Sequence, residues 1–590
     1  MSTFLLTVGR TSATARVRAA LQPNGPGPTD RTVHQQLGAD REVFCVTRRA
    51  LSDPIEPGPT DHLFLGTAFD HGNQALVLGS AGFDEYLGSP GSPSHEGALD
   101  LDGVFVHARW SPDTLVVERD PFGLYPVLWT ASPDLVLISD SLLLLTRLRR
   151  ALGVGISADA DVVASRSVQN ILAYQLASER TPVAGISSLP VGATLRVGSG
   201  VDHRPAPTID RACVADLFVP RTDSYATLLR QAAHEVSAAV RSIVGIPGPP
   251  ATLSLSGGLD SRVLLAVLVG DPTTLEQTRV TTSTIARRSD DRSVAESLGV
   301  RFGFPVNPPA VDPLPQRATP GPVGQWALGS LGVYDYLYLR RSVPEPGVVA
   351  LGGQGSEIMK GSLGWTSIAR LRIEGRPRPV RTLRRIAREG LKSIGIEPDH
   401  PLGVEWHNVG YRNPIHTGQL VPRAQPLHFR PLMQRSLALA ARAPDNPQPT
   451  PTRKGTSVIT DLLALLAPEL CSLPFAEGRE PIDPAVVAAR LDALGGPVAG
   501  APVAYRIHGA TNDVPVGAPD CFLSLVSDLE ELGGSPAEMI AAAGDRARDL
   551  VPRRFRKDYA HAVATVDAYR RGEDQLKAGM AAAKILNLEL

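Results

Sequence analysis

Along roughly the first 200 residues, apolar positions alternate with polar or small ones in short runs: "HLFLGTAF", "QALVLGSAGF", "GVFVHARW", "TLVVERD", "PVLWTA" and "DLVLISD". A period of two marks strands half-turned toward a core, and turn residues such as "SPDT" and "ASPD" separate them. The pattern predicts an antiparallel region of two packed sheets. The opening "MSTFLLTVGRTSATARV" reads as a further strand, because its apolar run lacks the basic start and long hydrophobic centre of a signal peptide. "ASRSVQNILAYQLASE" predicts a helix, and "GISSLPVGATLRVGSG" a closing strand pair. The proline-rich stretch "RPAPTIDRACVADLFVPRTD" reads as a bridge and sets a domain boundary near residue 215.

Beyond it the period changes. Asp223 is placed to cap "SYATLLRQAAHEVSAAVRSIV", whose apolar positions Tyr225, Leu229, Ala232, Val236, Ala239 and Ile243 share one helical stripe. Strand "TLSLS", helix "SRVLLAVL", strand "VTTSTI", helix "SVAESLG" and strand "PGVVALGG" follow. Strands alternating with helices predict a parallel sheet covered by helices. Residues 366–425 read as irregular around the basic helix "RTLRRIAREGLKSIG". "SVITDLLALLAPEL", "AEMIAAAGDRARDL" and "DYAHAVATVDAYRR" make the end helical. The fold class is thus α/β, with an α+β antiparallel-sheet sandwich over 1–215 and a parallel-sheet α/β domain over 216–590.

Composition narrows the setting. With 43% hydrophobic and 20% charged residues in 590, the chain is ordinary for a globular protein of several cores. A net charge of -1 gives no global field for nucleic acid. No apolar run reaches the roughly 18 residues that span a bilayer. Cys45, Cys213, Cys471 and Cys521 lie far apart with no CxxC pair, which argues against zinc and suits a reducing, cytoplasmic compartment.

One stretch breaks this texture. In "ATLSLSGGLDSRVLLAVLVGD", a buried strand passes through Ser256, Gly257, Gly258, Leu259, Asp260 and Ser261 into a buried helix. At the carboxyl end of a parallel strand, ligands collect. Two glycines let a phosphate approach the backbone amides, and the helix start adds free N–H groups and a positive dipole end. Ser256 and Ser261 offer hydroxyls, and Asp260 is a hard oxygen ligand for magnesium. The GxxxxGK[ST] loop is missing. The shape is that of a turn that grips pyrophosphate as ATP is split to AMP.

These residues resemble the asparagine synthetase superfamily along nearly the whole chain. "LDGVFVHARWSPDTLVVERDPFGLYPVLWT" is similar to the family's "LDG-F-FALWD…ARD-FG--PLYY", with Asp120, Phe122, Gly123 and Pro126 in register. "GISSLPVGATLRV" resembles its "V--LPPGH-L" strand and "SGGLDSR" its ATP loop. "RRSDDRSVAESLGVRF" resembles the acidic residue and helix after the second strand. "VVALGGQGSEIMKG" resembles the "SGDGADELFGG" loop, and "FRPLMQRSLALAARAPDNPQPTPTRKGTSVITDLLALLAPEL" the C-terminal helices. The resemblance implies an Ntn amidotransferase-like domain over 1–215 and an ATP-pyrophosphatase (PP-loop) synthetase domain over 216–590.

The departures are informative. Glutamine-dependent members begin Met-Cys, whereas Ser2 and Thr3 follow Met1 here and no Asn-Gly-Glu segment is visible. The resemblance therefore implies a scaffold without glutaminase chemistry, whose acyl-adenylate is captured by an amine already on the substrate. β-Lactam synthetases carry a Tyr where "GGQGSEIMKG" has Gln354, and Gln cannot serve as a base. Glu357 stands at the magnesium-binding acid. The lysine expected near "APELCSLPFAEGRE" is absent, which leaves Lys454 or Arg479 to support phosphates. An amine of pKa near 8 needs little help to lose a proton, whereas an amide needs a dedicated base.

The resemblance is thus strongest to lasso peptide cyclases, with β-lactam or carbapenam synthetase-like ligases as the alternative. It implies ATP over Ser256–Ser261, with the adenine near Ser283 on the "VTTSTI" strand and Gly353 lining the opposite loop. It implies Mg2+ between Asp260 and Glu357. The substrate would be a linear core peptide, whose Asp or Glu side-chain carboxylate is adenylated and then attacked by the N-terminal amine. The partners implied are a leader-binding protein and a leader peptidase. Tyr334, Tyr336 and Tyr338 in "GVYDYLYLRR" alternate like strand residues and are candidate pocket lining. The basic helix within 366–425 and "PRRFRKDY" at 552–559 read as solvated faces.

Overall fold

The computed structural model describes residues 3–22, 25–52, 61–90, 100–200, 204–308, 316–340, 342–344, 347–360, 363–420, 427–448, 457–476, 478–498, 500, 502–572 and 575–590. It is a mixed α/β protein with both antiparallel and parallel sheets. The first sheet contains β1 (Phe4–Arg10), β2 (Asp30–Gln36), β3 (Arg41–Arg48), β8 (Leu128–Ser132), β9 (Leu135–Ser139) and β10 (Ser187–Ser188), in the order β10-β8-β9-β1-β3-β2. All its pairings are antiparallel. The second contains β4 (His62–Asp70), β5 (Ala75–Leu78), β6 (Asp102–Trp110), β7 (Thr114–Arg119), β11 (Ala193–Ser199), β12 (Pro205–Arg211) and β19 (Arg506–His508), in the order β12-β11-β7-β6-β4-β5-β19.

Strand parity explains how the sheets stack. Leu6 and Val8 of β1, Val43 and Cys45 of β3 and Val136 and Ile138 of β9 share one buried cluster with Leu65, Val106, Val117, Leu195 and Val197 of the facing sheet. Leu5, of opposite parity, packs with Val17 and Leu21 of the Thr11–Leu21 helix. With both faces covered, β1 is buried over all but its last residue.

The third sheet is parallel throughout. β13 (Ala251–Ser254), β14 (Thr278–Thr281), β17 (Val349–Leu351) and β18 (Leu427–Phe429) lie in the order β14-β13-β17-β18. Leu253, Val349 and Leu351 are buried in one cluster with helices Tyr225–Val244, Leu259–Val269 and Val458–Leu466. A separate antiparallel pair joins β15 (Gln316–Ala318) to β16 (Ser342–Pro344). β19 runs parallel to β5, so a late segment of the chain closes the edge of the second sheet.

Several expectations need correction. The proline-rich bridge is not a linker: Pro205–Arg211 is β12, paired residue by residue with β11, and Val214–Phe218 is a helix. β12 is an edge strand, the place where a sheet tolerates proline. "ASRSVQNILAYQLASE" is no continuous helix. Helix Ala160–Arg166 stops, and a three-residue 3-10 turn follows at Ile171–Ala173. Ser165 and Ser167 donate to carbonyls three residues back, and Asn170 accepts from Leu172 N, so local side chains draw the backbone away from helix.

In "QALVLGSAGF" the strand ends at Leu78 and Gly79–Leu87 is helical. Ser224, not Asp223, caps the Tyr225–Val244 helix, accepting from Thr227 N. Within 366–425 the basic helix is present as Pro377–Ser393, but helices Gly403–His407 and Asn413–Leu420 flank a π-helical turn at Asn408–Arg412. Tyr334, Tyr336 and Tyr338 lie in no strand. Their rings form a ladder with centroids 5.9 and 6.1 Å apart.

Candidate functional site

Where β13 ends, Leu255 N still donates to Thr281 O of the neighbouring strand's end at 2.7 Å, and the chain then turns. Ser261 Oγ accepts from Ser256 N and lies 3.0 Å from Ser256 Oγ, which in turn accepts from Gly258 N at 3.3 Å. The two serines expected to meet phosphate thus also fold the turn onto itself. Gly258 is the N-cap of helix Leu259–Val269, whose first turn carries Asp260, while Leu259 and Ser261 are buried.

Gly257 N donates to Asp291 Oδ1 at 2.9 Å. Asp291 sits in the first turn of helix Ser289–Phe302, so a carboxylate oxygen occupies an amide of the turn. A backbone amide beside a helix start attracts an anion in this way.

Two glycines are required by close approach. A Cβ on Gly257 would meet Ala476 Cβ at 2.2 Å, and one on Gly353 would meet Ser261 N at 2.5 Å. Gly353 follows β17, the strand beside β13, so the loops at adjacent carboxyl ends touch. Glu357 opens the short helix Glu357–Lys360 on that loop and accepts from Gly355 N at 2.7 Å. Asp260, Gly353 and Glu357 therefore belong to one rim.

Ser283 lies past the end of β14, because the strand spans only Thr278–Thr281 rather than all of "VTTSTI"; its Oγ accepts from Ile285 N at 3.3 Å. Arg479 follows the loop that carries Ala476, and its charge is felt at Arg262. Lys454 lies outside the described residues, as does Ser2. Thr3 is buried, its N–H donating to Gly517 O. Burial pushes the Cys45 thiol up to about 12, which makes it inert.

Other residues at this rim escape sequence reasoning. Arg262, fully buried, donates to the carbonyls of Leu470, Leu473 and Pro474 and lies 3.8 Å from the centroid of the Phe475 ring. It fastens the loop that presses Ala476 on Gly257, and Ala476 N donates to Gly257 O at 3.0 Å. Arg412 ends the π-helical turn, donating to Gln175 Oε1 at 3.2 Å, and Arg430 follows β18. Glu357 raises the pKa of both guanidiniums, against the larger lowering by burial. Tyr334 Oη is 2.5 Å from His416 Nδ1, and burial holds that imidazole down at about 4. The one available signal was the arginine closing "SGGLDSR"; the others come from segments far apart in sequence.

Among the described residues no three His, Cys, Asp or Glu side chains gather to hold a metal ion. No described helix is long and apolar enough to cross a membrane. No protein-family model matches the chain, and a search of curated proteins finds no match. Among solved structures the chain is similar to the allosteric regulatory enzyme of purine biosynthesis at 12% identity, over 59% of this chain and 73% of that one, with a TM-score of 0.19. It is also similar to glutamine phosphoribosylpyrophosphate amidotransferase from B. subtilis at 11% identity, over 59% and 75%, with the same TM-score of 0.19. At such TM-scores these likenesses carry no argument about this chain.

Proposed function

We propose that the protein is an ATP-dependent, AMP-forming amide ligase of the asparagine synthetase superfamily that closes a lasso peptide ring. The observation that carries this reading is the Ser256–Ser261 turn. It stands at the carboxyl end of a central parallel strand, holds a carboxylate oxygen on Gly257 N, and packs against the Gly353 loop that bears Glu357.

In this reading the amides of Gly257 and Gly258 and the start of the Leu259–Val269 helix bind the β- and γ-phosphates, which leave as pyrophosphate. Asp260 and Glu357 supply two carboxylates from adjacent strand ends. A divalent cation with only two protein ligands needs phosphate oxygens and water for the rest, the habit of Mg2+. When bound, Mg2+ would neutralise charge on the departing phosphates. The substrate's side-chain carboxylate attacks the α-phosphorus, forming an acyl-AMP. The peptide's own N-terminal amine then attacks the acyl carbon and AMP leaves. Holding both ends together raises their effective concentration.

One feature supports an amine rather than an amide nucleophile. Gln354, exposed on the Gly353 loop, cannot take a proton. Burial lowers the pKa of His416 and His428 so far that neither imidazole is a useful base, and an amine needs none.

The test is incubation of the purified protein with ATP, Mg2+ and a synthetic linear core peptide. Loss of one water from the peptide, matched by AMP formation and abolished in Asp260→Ala, supports the reading. AMP formed only with small β-amino acids would move the substrate to the β-lactam class. Full activity in Asp260→Ala would remove the reading altogether.

A further inference from the structure

A charged side chain is buried without a partner just past the parallel sheet. Arg430 follows β18 and is only 5% exposed, yet Nε, Nη1 and Nη2 all lack a hydrogen-bond partner among the described residues. Two residues of the same segment share the defect. Both amide atoms of Gln434 and Nδ1 of His428 are buried and equally unpartnered. Six polar atoms without partners on one seven-residue stretch are unusual, since buried polar groups are nearly always satisfied.

Arg430, Gln434 and His428 line one cavity of about 20 Å³, closed on the other side by Phe69 and Gly103 of the second sheet and by Met433. Its size suits a single small occupant, given that about 10–15 Å³ is the minimum for a water. No carboxylate lines the cavity. Glu357 and Asp120 raise the pKa of Arg430 through space, against burial, which lowers it to about 10. Neither hydrogen-bonds its guanidinium. Burial and the field of Arg430 also keep the His428 ring neutral. The cavity therefore carries one positive charge, with N–H donors on Arg430 and Gln434 and no internal counter-charge.

We propose that this cavity is a site for one monatomic anion of halide size, held by Arg430 and the Gln434 amide between the second sheet and the parallel sheet. Charge decides against water as the occupant. A buried cation without an anion bears the full desolvation penalty, whereas water supplies only a dipole. The site stands whether or not the adenylation reading holds.

Two measurements on the full chain test it. In crystals of the wild-type protein soaked in bromide, the anomalous signal should show one bromide between Arg430 and Gln434. A water or an empty cavity there overturns the proposal. At constant ionic strength, the melting temperature should be about 1–3 °C higher in potassium chloride than in potassium gluconate. That difference should disappear in Gln434→Leu and in Arg430→Met. An equal melting temperature in the two salts, or a difference retained in Gln434→Leu, would overturn it too. Should Arg430→Met fail to fold, the bromide crystal and Gln434→Leu still decide.

Discussion

The backbone N–H of Gly257 points at the carboxylate of Asp291, 2.9 Å away. The amide belongs to the turn after β13 and the acid to the helix after β14, so the two meet only because those strands are neighbours. In the proposed reaction a phosphate oxygen needs the same N–H. Asp291 then competes with ATP by occupancy and by like charge. Replacing it by Ala should lower the dissociation constant for ATP by about threefold to tenfold, the scale of one charge-assisted hydrogen bond. Titration calorimetry with a non-hydrolysable ATP analogue and Mg2+ reads this directly. Unchanged or weaker binding would mean that Asp291 serves the nucleotide rather than excluding it.

Gly257 faces a second constraint. A methyl group there would lie 2.2 Å from Ala476 Cβ and 3.1 Å from Ala476 N, so backbone must move to admit it. Gly257→Ala should cost about 1–3 kcal/mol of stability through overpacking and should abolish AMP formation. Gly258→Ala meets only Ser256 Oγ, at 3.4 Å, and should fold normally. Thermal melts of both variants separate the cases, and equal melting temperatures would show that the Ala476 contact does not limit the turn.

How much of this was legible beforehand depends on how local the cause is. The alternating strands of the first two sheets and the Ser256–Ser261 turn were readable, because pleat parity and turn chemistry are written in adjacent residues. β12 was not: Pro205 and Pro207 read as a linker, and only its position at the sheet edge makes them harmless. The cap of the Tyr225–Val244 helix was missed by one residue. Asp223 and Ser224 are both good caps, and the choice is made far away, where the Asp445 carboxylate accepts from Tyr225 N at 2.9 Å. Arg412, Arg430 and Ala476 gave no signal for the same reason. Each reaches the rim from a different part of the chain, and nothing near it in sequence marks its destination.

Arg262 shows what such a distant bracket should be worth. Its guanidinium serves three carbonyls of one loop, those of Leu470, Leu473 and Pro474, at 3.1, 3.0 and 2.5 Å. A lysine keeps the charge but cannot reproduce the planar fork or the stacking on Phe475. Arg262→Lys should therefore cost about 2–4 kcal/mol, the scale of buried acceptors left without a donor. It should also weaken ATP binding, because Ala476 is no longer held against Gly257. Loss of stability with unaltered ATP affinity would place the bracket outside the site.

Glu405 provides a pH test that involves no ligand. Its carboxyl is 3% exposed, and burial pushes its pKa up to about 7, against the opposing pull of the Leu363 N–H at 2.9 Å and of Arg442. In the unfolded chain a glutamate titrates near about 4.3. Below that value the group is neutral in both states and costs nothing. Between there and about 7 the unfolded chain gains an ionised carboxylate that the folded one resists, so stability falls as pH rises; above about 7 the loss is complete. Glu405→Gln has no proton to lose. Its stability relative to wild type should improve by on the order of 1–3 kcal/mol between pH 5 and pH 8. The gap in melting temperature between the two proteins, followed across that range, reads the effect. Parallel curves would show that Glu405 is ionised in the fold and paired with Arg442, whose guanidinium lies 4.9 Å from the centroid of the Trp406 ring.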